Sequence, residues 1–151
     1  CLIYFKKRSS EELKSITSLL KTKKISYKVF KYGNYKNKDL INFAKKSHFG
    51  IILNKAESQG IATLEIMSTN LPLLIFDYEK MFLENEELEG TSVPYWSKEC
   101  GLKLKEVSDF ETALNNFLKN LNRYSPGEYI CSNLSFEKTG KKLINEFKSF
   151  I

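Results

Sequence analysis

Four short apolar runs, separated by helical patterns, are the feature of this sequence that most restricts its fold. The runs at 49–53 and 71–76 are almost wholly apolar, which is typical of strands buried on both faces of a sheet. Two further runs lie at 2–5 and 27–30, and apolar residues recur at helical spacing between all four. The order strand, helix, strand, helix, strand, helix, strand predicts an α/β fold, with a Rossmann-like parallel sheet sandwiched between helices.

Local signals predict where the helices begin. A Ser followed three residues later by Glu, the spacing of a capping box, occurs at 9–12 and again at 108–111. The acidic segment 77–90 predicts a surface loop or a short helix, and a fifth short strand is expected near Val93. The remaining helices are predicted to begin at or near Asn37, Gly60, Pro126 and Ser135.

The length of 151 residues is enough for one domain, which we divide into a core at 1–122 and C-terminal helices at 123–151. No apolar run approaches the roughly 20 residues of a membrane span. Three widely spaced cysteines do not make a disulfide framework, so we expect a reduced, cytoplasmic setting. With only one histidine, the sequence offers little material for a zinc site or a Ser-His-Asp triad, and no metal is expected.

Charge is distributed unevenly along the chain. Residues 1–56 hold 14 Lys and Arg against 3 acids, whereas the remainder holds 10 against 15. A basic half of this kind suits a nucleic acid, an anionic lipid or a small phosphate ligand, and it also suits a solvated lysine-rich surface.

The loop after the third apolar run carries the clearest chemical signal. Ligands of open α/β sheets bind beyond the carboxyl ends of the strands, and Gly60 in this loop opens a helix whose free N–H groups suit a phosphate. Glu57 and Glu65 bracket that helix start with seven residues between them. A carboxylate one and a half turns into the helix is placed to accept hydrogen bonds from the vicinal hydroxyls of a ribose.

The segment 57–75 reads Glu-Ser-Gln-Gly-Ile-Ala-Thr-Leu-Glu-Ile-Met-Ser-Thr-Asn-Leu-Pro-Leu-Leu-Ile. It resembles the Glu-x7-Glu signature of retaining glycosyltransferases that have two Rossmann-like domains, the GT-B fold. Both Glu residues, the Gly, the Met and the Pro of that signature are present, and Asn70 stands where the family has a Gly. The pattern over about 1–122 is similar to the C-terminal, donor-binding domain of that family.

This resemblance implies roles for individual residues. Glu65 would bind the ribose hydroxyls, Glu57 would contact the transferred sugar, and Lys7 and Arg8 would neutralise the leaving diphosphate, with Lys6 a weaker candidate. From their place after the second strand, Gly33 and Tyr35, with Tyr32, are candidates for a wall that stacks on the base, and a turn with aromatic packing is an equal alternative. Backbone N–H groups of three residues would face the diphosphate, namely Gln59, Gly60 and Ile61.

The function implied is that of a hexosyltransferase-type enzyme whose donor is a nucleoside-diphosphate sugar, with no further cofactor. The acceptor site is expected in an N-terminal domain outside these residues, in the same chain or a separate subunit, so the fragment is expected to be inactive alone. We expect no nucleic-acid partner and leave a peripheral membrane contact open. Two alternatives remain: a non-catalytic basic module that binds RNA or anionic lipid, and one half of a nucleotide-sugar epimerase.

Overall fold

A computed structural model describes residues 1–78, 80–83 and 86–150. The strands are β1 (Leu2–Lys6), β2 (Lys28–Lys31), β3 (Gly50–Asn54), β4 (Leu73–Phe76), β5 (Lys80–Leu83), β6 (Glu86–Glu89) and β7 (Gly101–Leu104). The α-helices are α1 (Ser10–Thr22), α2 (Asn37–Ala44), α3 (Ile61–Ser68), α4 (Phe110–Lys119), α5 (Pro126–Asn133) and α6 (Phe136–Lys148).

Five parallel strands form one sheet in the order β2-β1-β3-β4-β7. Successive side chains of a strand point to opposite faces, so the buried strands contribute side chains to two hydrophobic cores, one on each face of the sheet. One core holds Leu2 and Ile75, with residues of α2, α3 and α5 packed against it, and the other holds Ile3 and Leu74 with residues of α1 and α4. The predicted α/β class, with a parallel sheet between helices, is confirmed.

The first predicted capping box is confirmed and the second is wrong. Ser9 Oγ accepts a hydrogen bond from the Glu12 N–H at 3.1 Å, and the Glu12 carboxylate accepts one from the Ser9 N–H at 3.0 Å. At 108–111 a 3₁₀ turn, Val107–Asp109, leads directly into α4, and Asp109 at φ −84° and ψ −7° makes no side-chain cap. A side-chain cap needs extended backbone at that position, which the 3₁₀ turn does not provide.

The prediction for the acidic segment is also wrong, since β5 and β6 pair as antiparallel strands; residues 79, 84 and 85 lie outside the described residues. The register places Lys80 opposite Glu89. The fifth strand of the main sheet is β7 and does not lie near Val93. Val93 is buried in a loop, and Pro94 beside it has no N–H to donate to a ladder.

The helix α6 has the apolar stripe that the sequence predicts, and the stripe is open to solvent. Phe136 is 97% exposed and Phe147 64%, and no residue of the helix is buried. Ser135 caps the helix by accepting a hydrogen bond from the Lys138 N–H.

Asp77 ties the loop that follows β6 to the end of β4. Its carboxylate, 6% exposed, accepts hydrogen bonds from the Ser92 N–H at 2.7 Å, the Thr91 hydroxyl at 2.8 Å and Lys103 Nζ at 2.6 Å. Burial alone would raise the pKa of Asp77, but hydrogen bonds from Lys103, Ser92 and Thr91 outweigh it and hold this pKa below its ordinary value. Asp77 therefore binds its proton less readily in the folded chain than in the unfolded chain.

We predict that Asp77→Asn removes part of the acid sensitivity of the fold. Because the folded-state pKa is lowered, the stabilisation by Asp77 is present above the ordinary carboxyl pKa and is lost as the pH falls through the folded value. Near neutral pH the variant should lose about 1–3 kcal/mol of unfolding free energy, since a hydrogen-bonded charge is removed. Urea unfolding of both proteins at several pH values measures this. A constant difference from neutral to strongly acidic pH would contradict the assignment.

Candidate functional site

The site lies at the carboxyl ends of β1 and β3. The chain leaves β1 for β2 on one side of the sheet and returns to place β3 on the other, so the strand order reverses between β1 and β3. Such a switch point opens a crevice in parallel sheets. A cleft of about 530 Å³ occupies this place. It is lined by Tyr4, Lys6, Tyr32, Gly33, Tyr35, Asn37, Ala62, Glu65 and the loop 57–61.

Gly60 sets the geometry where the loop enters α3. Its φ of +67° lies in the left-handed region that favours glycine, and a Cβ there would stand 3.3 Å from Pro94 Cδ. The Gly60 carbonyl accepts the first helical bond, from the Leu64 N–H at 3.0 Å. No side chain caps this helix start. The first N–H groups of α3 therefore meet the cleft, where the helix dipole favours an anion.

Glu57 stands at the inner end of the cleft and is held from several sides. Its Oε1 accepts a hydrogen bond from Lys6 Nζ at 2.6 Å and another from Asn54 Nδ2 at 2.8 Å. The Glu57 N–H donates to the Thr91 carbonyl at 2.9 Å. The side chains of Lys6 and Glu57 are both 13% exposed, so this ion pair is largely shielded from water. A shielded pair with extra hydrogen bonds fixes geometry more firmly than an exposed one.

Aromatic rings form one wall of the cleft. Tyr4 is buried, and its ring meets that of Tyr35 edge to face at a centroid distance of 6.1 Å. Burial raises the pKa of the Tyr4 phenol, and a hydrogen bond with Tyr35 raises it further. Tyr32 is 60% exposed, with Lys6 Nζ 4.3 Å from its ring centre. Gly33, which follows Tyr32 in the sequence, has φ +81° and open space around the position of a Cβ.

Glu65 lies at the other side of the cleft, on α3. Its Oε1 accepts a hydrogen bond at 2.9 Å from Nδ2 of Asn37, which is the first residue of α2. The side chain is half-buried. The two carboxylates, Glu57 and Glu65, thus flank the helix start within one cleft, as the sequence predicts.

All predicted site residues except Lys7 and Arg8 line the cleft: Glu57, Gln59, Gly60, Ile61, Glu65, Gly33 and Tyr35. Arg8 is not among the lining residues, and Lys7 before it has a left-handed backbone with φ +54°. The Arg8 side chain is 2% exposed and pairs with Glu12 at 2.5 Å, and its guanidinium lies over the rings of Phe76 and Tyr78. Lys7 itself is exposed. The role of Lys7 and Arg8 beside a diphosphate stays a prediction.

Lys6, Asn54 and Asn37 contact the site carboxylates, and the sequence argument either ranked them low or omitted them. Strand alternation contained a signal for Lys6, because residues 2, 4 and 6 of β1 share a face. Leu2 and Tyr4 belong to the core that packs against α3, so that alternation places Lys6 towards the same helix. Nothing comparable marks Asn37, whose position depends on how α2 packs beside α3.

A second, larger cavity of about 840 Å³ lies at the carboxyl ends of β4 and β7. Asp77, Thr91, Trp96 and Lys103 are among its lining residues. The Asp77 carboxylate already accepts hydrogen bonds from Thr91 and Ser92, in the loop after β6, and from Lys103. The buried acid of this cavity is therefore satisfied, whereas the cleft presents an uncapped helix start.

Comparison with protein-family models, curated proteins and solved structures finds no match to this chain. Within residues 1–78, 80–83 and 86–150, no helix has both the length and the apolar character to cross a membrane. In the same part of the chain, no three or more His, Cys, Asp or Glu side chains are grouped to hold a metal ion.

We predict that Arg8 stabilises the fold. Arg8→Ala should lower the free energy of unfolding by about 2–4 kcal/mol, because it removes aromatic packing and leaves the Glu12 carboxylate without its charged partner. Lys7→Ala is the neighbouring control and should change it by at most about 0.5 kcal/mol, as expected for an exposed side chain. Chemical denaturation of the two variants measures the difference. Equal, small effects would mean that the Arg8 contacts contribute little.

Proposed function

We propose that this chain is the donor-binding domain of a glycosyltransferase and that the cleft takes a nucleoside-diphosphate sugar. One observation carries the proposal: Glu57 and Glu65 flank the uncapped start of α3 in a single cleft at the switch point of the sheet. Phosphate, sugar hydroxyls and a base each find a matching group there. The resemblance of segment 57–75 to the Glu-x7-Glu signature supports the same ligand.

The diphosphate fits the start of α3. Gln59, Gly60 and Ile61 belong to the cleft lining, and the positive end of the helix dipole would add to the attraction of their backbone N–H groups for an anion. Lys6 is the cation of this cleft, and it replaces Lys7 and Arg8 in the proposal. A bound phosphate would share the Lys6 ammonium with Glu57, so the N–H groups at the start of α3 are needed in addition to this cation.

The nucleoside fits the outer half of the cleft. Tyr32 offers an exposed ring, and Gly33 leaves room for a base to approach the backbone. Base stacking on an aromatic ring contributes about 1–3 kcal/mol in nucleic-acid complexes. Glu65 keeps one oxygen on Asn37 and has a second for a ribose hydroxyl. The sugar end of the donor then lies towards Glu57.

Transfer of the glycosyl group would break the bond between the anomeric carbon and a diphosphate oxygen. The electron pair leaves with the diphosphate, whose growing negative charge is stabilised by Lys6 and the α3 dipole. The new bond forms to an acceptor hydroxyl, whose proton passes to the departing diphosphate oxygen. Hydroxyl contacts from Glu57 would orient the sugar for that step.

We predict that Glu65→Ala weakens the binding of nucleotides through the ribose. The loss should be about 1.5–3 kcal/mol, typical of hydrogen bonds to a charged group, and similar for a nucleoside and its diphosphate. The chain should be titrated by calorimetry with UDP, ADP and GDP and their nucleosides. Glu111→Ala, an exposed acid on α4, is the control. Unchanged affinity in a folded Glu65→Ala protein would exclude the ribose contact.

We predict that Lys6→Met weakens the binding of a nucleoside diphosphate at least about tenfold and leaves the affinity for the matching nucleoside nearly unchanged. Methionine keeps an unbranched stem beside Tyr32 and removes the charge that meets phosphate. Lys7→Met is the matched control, since Lys7 is exposed outside the cleft. A lower salt dependence of diphosphate binding in Lys6→Met should accompany the loss. If nucleoside and diphosphate lose affinity equally, Lys6 supports the wall of the cleft and does not bind phosphate.

A further inference from the structure

Asn54, the last residue of β3, is completely buried and yet polar. The orientation of its amide is fixed by its neighbours. The Lys55 N–H donates to Asn54 Oδ1 at 2.8 Å, so the other end of the amide, Nδ2, is the donor that meets Glu57 Oε1. A buried amide with both ends engaged is costly to replace and defines one geometry.

The same carboxylate oxygen receives the Lys6 ammonium, so both contacts converge on Glu57 Oε1. The other oxygen, Oε2, makes no hydrogen bond within the residues that the structure describes. Among those residues, Arg8 Nη1 is the side-chain nitrogen or oxygen that is fully buried and has no hydrogen-bond partner. Glu57 Oε2 also has no partner, but it is not fully buried. Oε2 is therefore open to the cleft.

Three separate segments hold Glu57 before any ligand arrives. Lys6 belongs to β1, Asn54 to β3, and the Thr91 carbonyl that accepts the Glu57 N–H lies in the loop after β6. A ligand-binding side chain that is held by such contacts loses less conformational freedom on binding than an unsupported side chain does. This arrangement suits a group whose position relative to a reacting bond matters.

We propose that Asn54 is a positioning residue that fixes Glu57 so that Oε2 alone is presented to the glycosyl group as an acceptor for its hydroxyls. The inference rests on the proposed function and goes beyond it, because it assigns the recognition of an uncharged, hydroxyl-bearing hexosyl group to one orientation of Glu57. Asn54 touches no ligand itself. Its replacement changes the gain in affinity that the hexosyl group contributes and leaves the nucleotide contacts in place.

The test compares each nucleotide sugar with its own diphosphate. UDP and UDP-glucose, ADP and ADP-glucose, and GDP and GDP-mannose are titrated into the 151-residue chain, and the best-bound pair is kept. Asn54→Asp has the same shape and replaces the donor with an acceptor. Asn54→Ser retains a donor. Asn70→Asp is the matched control, since Asn70 Oδ1 acts as an acceptor for the Gly127 N–H.

The hexosyl gain is the factor by which a nucleotide sugar binds more tightly than its own diphosphate. In Asn54→Asp the hexosyl gain should fall about tenfold, while the Kd for the diphosphate stays within about twofold of the original. Asn54→Ser should recover part of the gain, and Asn70→Asp should keep it. If Asn54→Asp does not fold, Asn54→Ser carries the comparison, with an intermediate gain expected. An unchanged gain in the folded variants, or an equal loss for sugar and diphosphate, overturns the inference. If the original chain binds diphosphates with no hexosyl gain, only the inference fails; if it binds no pair, the proposed function fails with it.

Discussion

Burial of β3 on both faces is the constraint from which the rest of this structure follows. All of its residues are buried, and its neighbours β1 and β4 continue the same two cores. A sheet covered in this way has no room for polar side chains along its strands, so they collect where the strands end. Lys6 and Asn54 occupy those ends in adjacent strands, opposite each other in the register, and both turn to Glu57.

Much of this arrangement could be predicted from the sequence, because it depends on short-range patterns. Apolar runs gave the central strands, and the spacing of Glu57, Gly60 and Glu65 placed two carboxylates around one helix start. The features that the sequence patterns did not reveal fall where tertiary contacts decide. The pairing of β5 with β6 and the burial of Arg8 against Phe76 depend on segments that meet only in the folded chain. The left-handed backbone of Lys7 could not be predicted from a run of three basic residues.

The basic character of the first 56 residues is not concentrated in the cleft. Of the three basic residues at 6–8, only Lys6 lines it, and its charge is compensated by Glu57. In the proposed function, the uncapped N–H groups of α3 therefore add to the attraction for a diphosphate, because they carry partial charge without a counter-ion. Such a site distinguishes phosphate by geometry as well as by charge, since the N–H directions are set by Gly60 and its close approach to Pro94.

The two carboxylates of the cleft are held in different ways, and this difference matches the tasks proposed for them. Glu57 is shielded and supported by a buried amide, an ammonium and a backbone carbonyl, so its orientation is determined when the chain folds. Glu65 is half-buried and has a contact from Asn37, at the start of a neighbouring helix. A ribose tolerates such an adaptable partner because no bond of the ribose changes. The glycosyl group does not, because a displacement of about 1 Å at a reacting carbon costs orders of magnitude in rate.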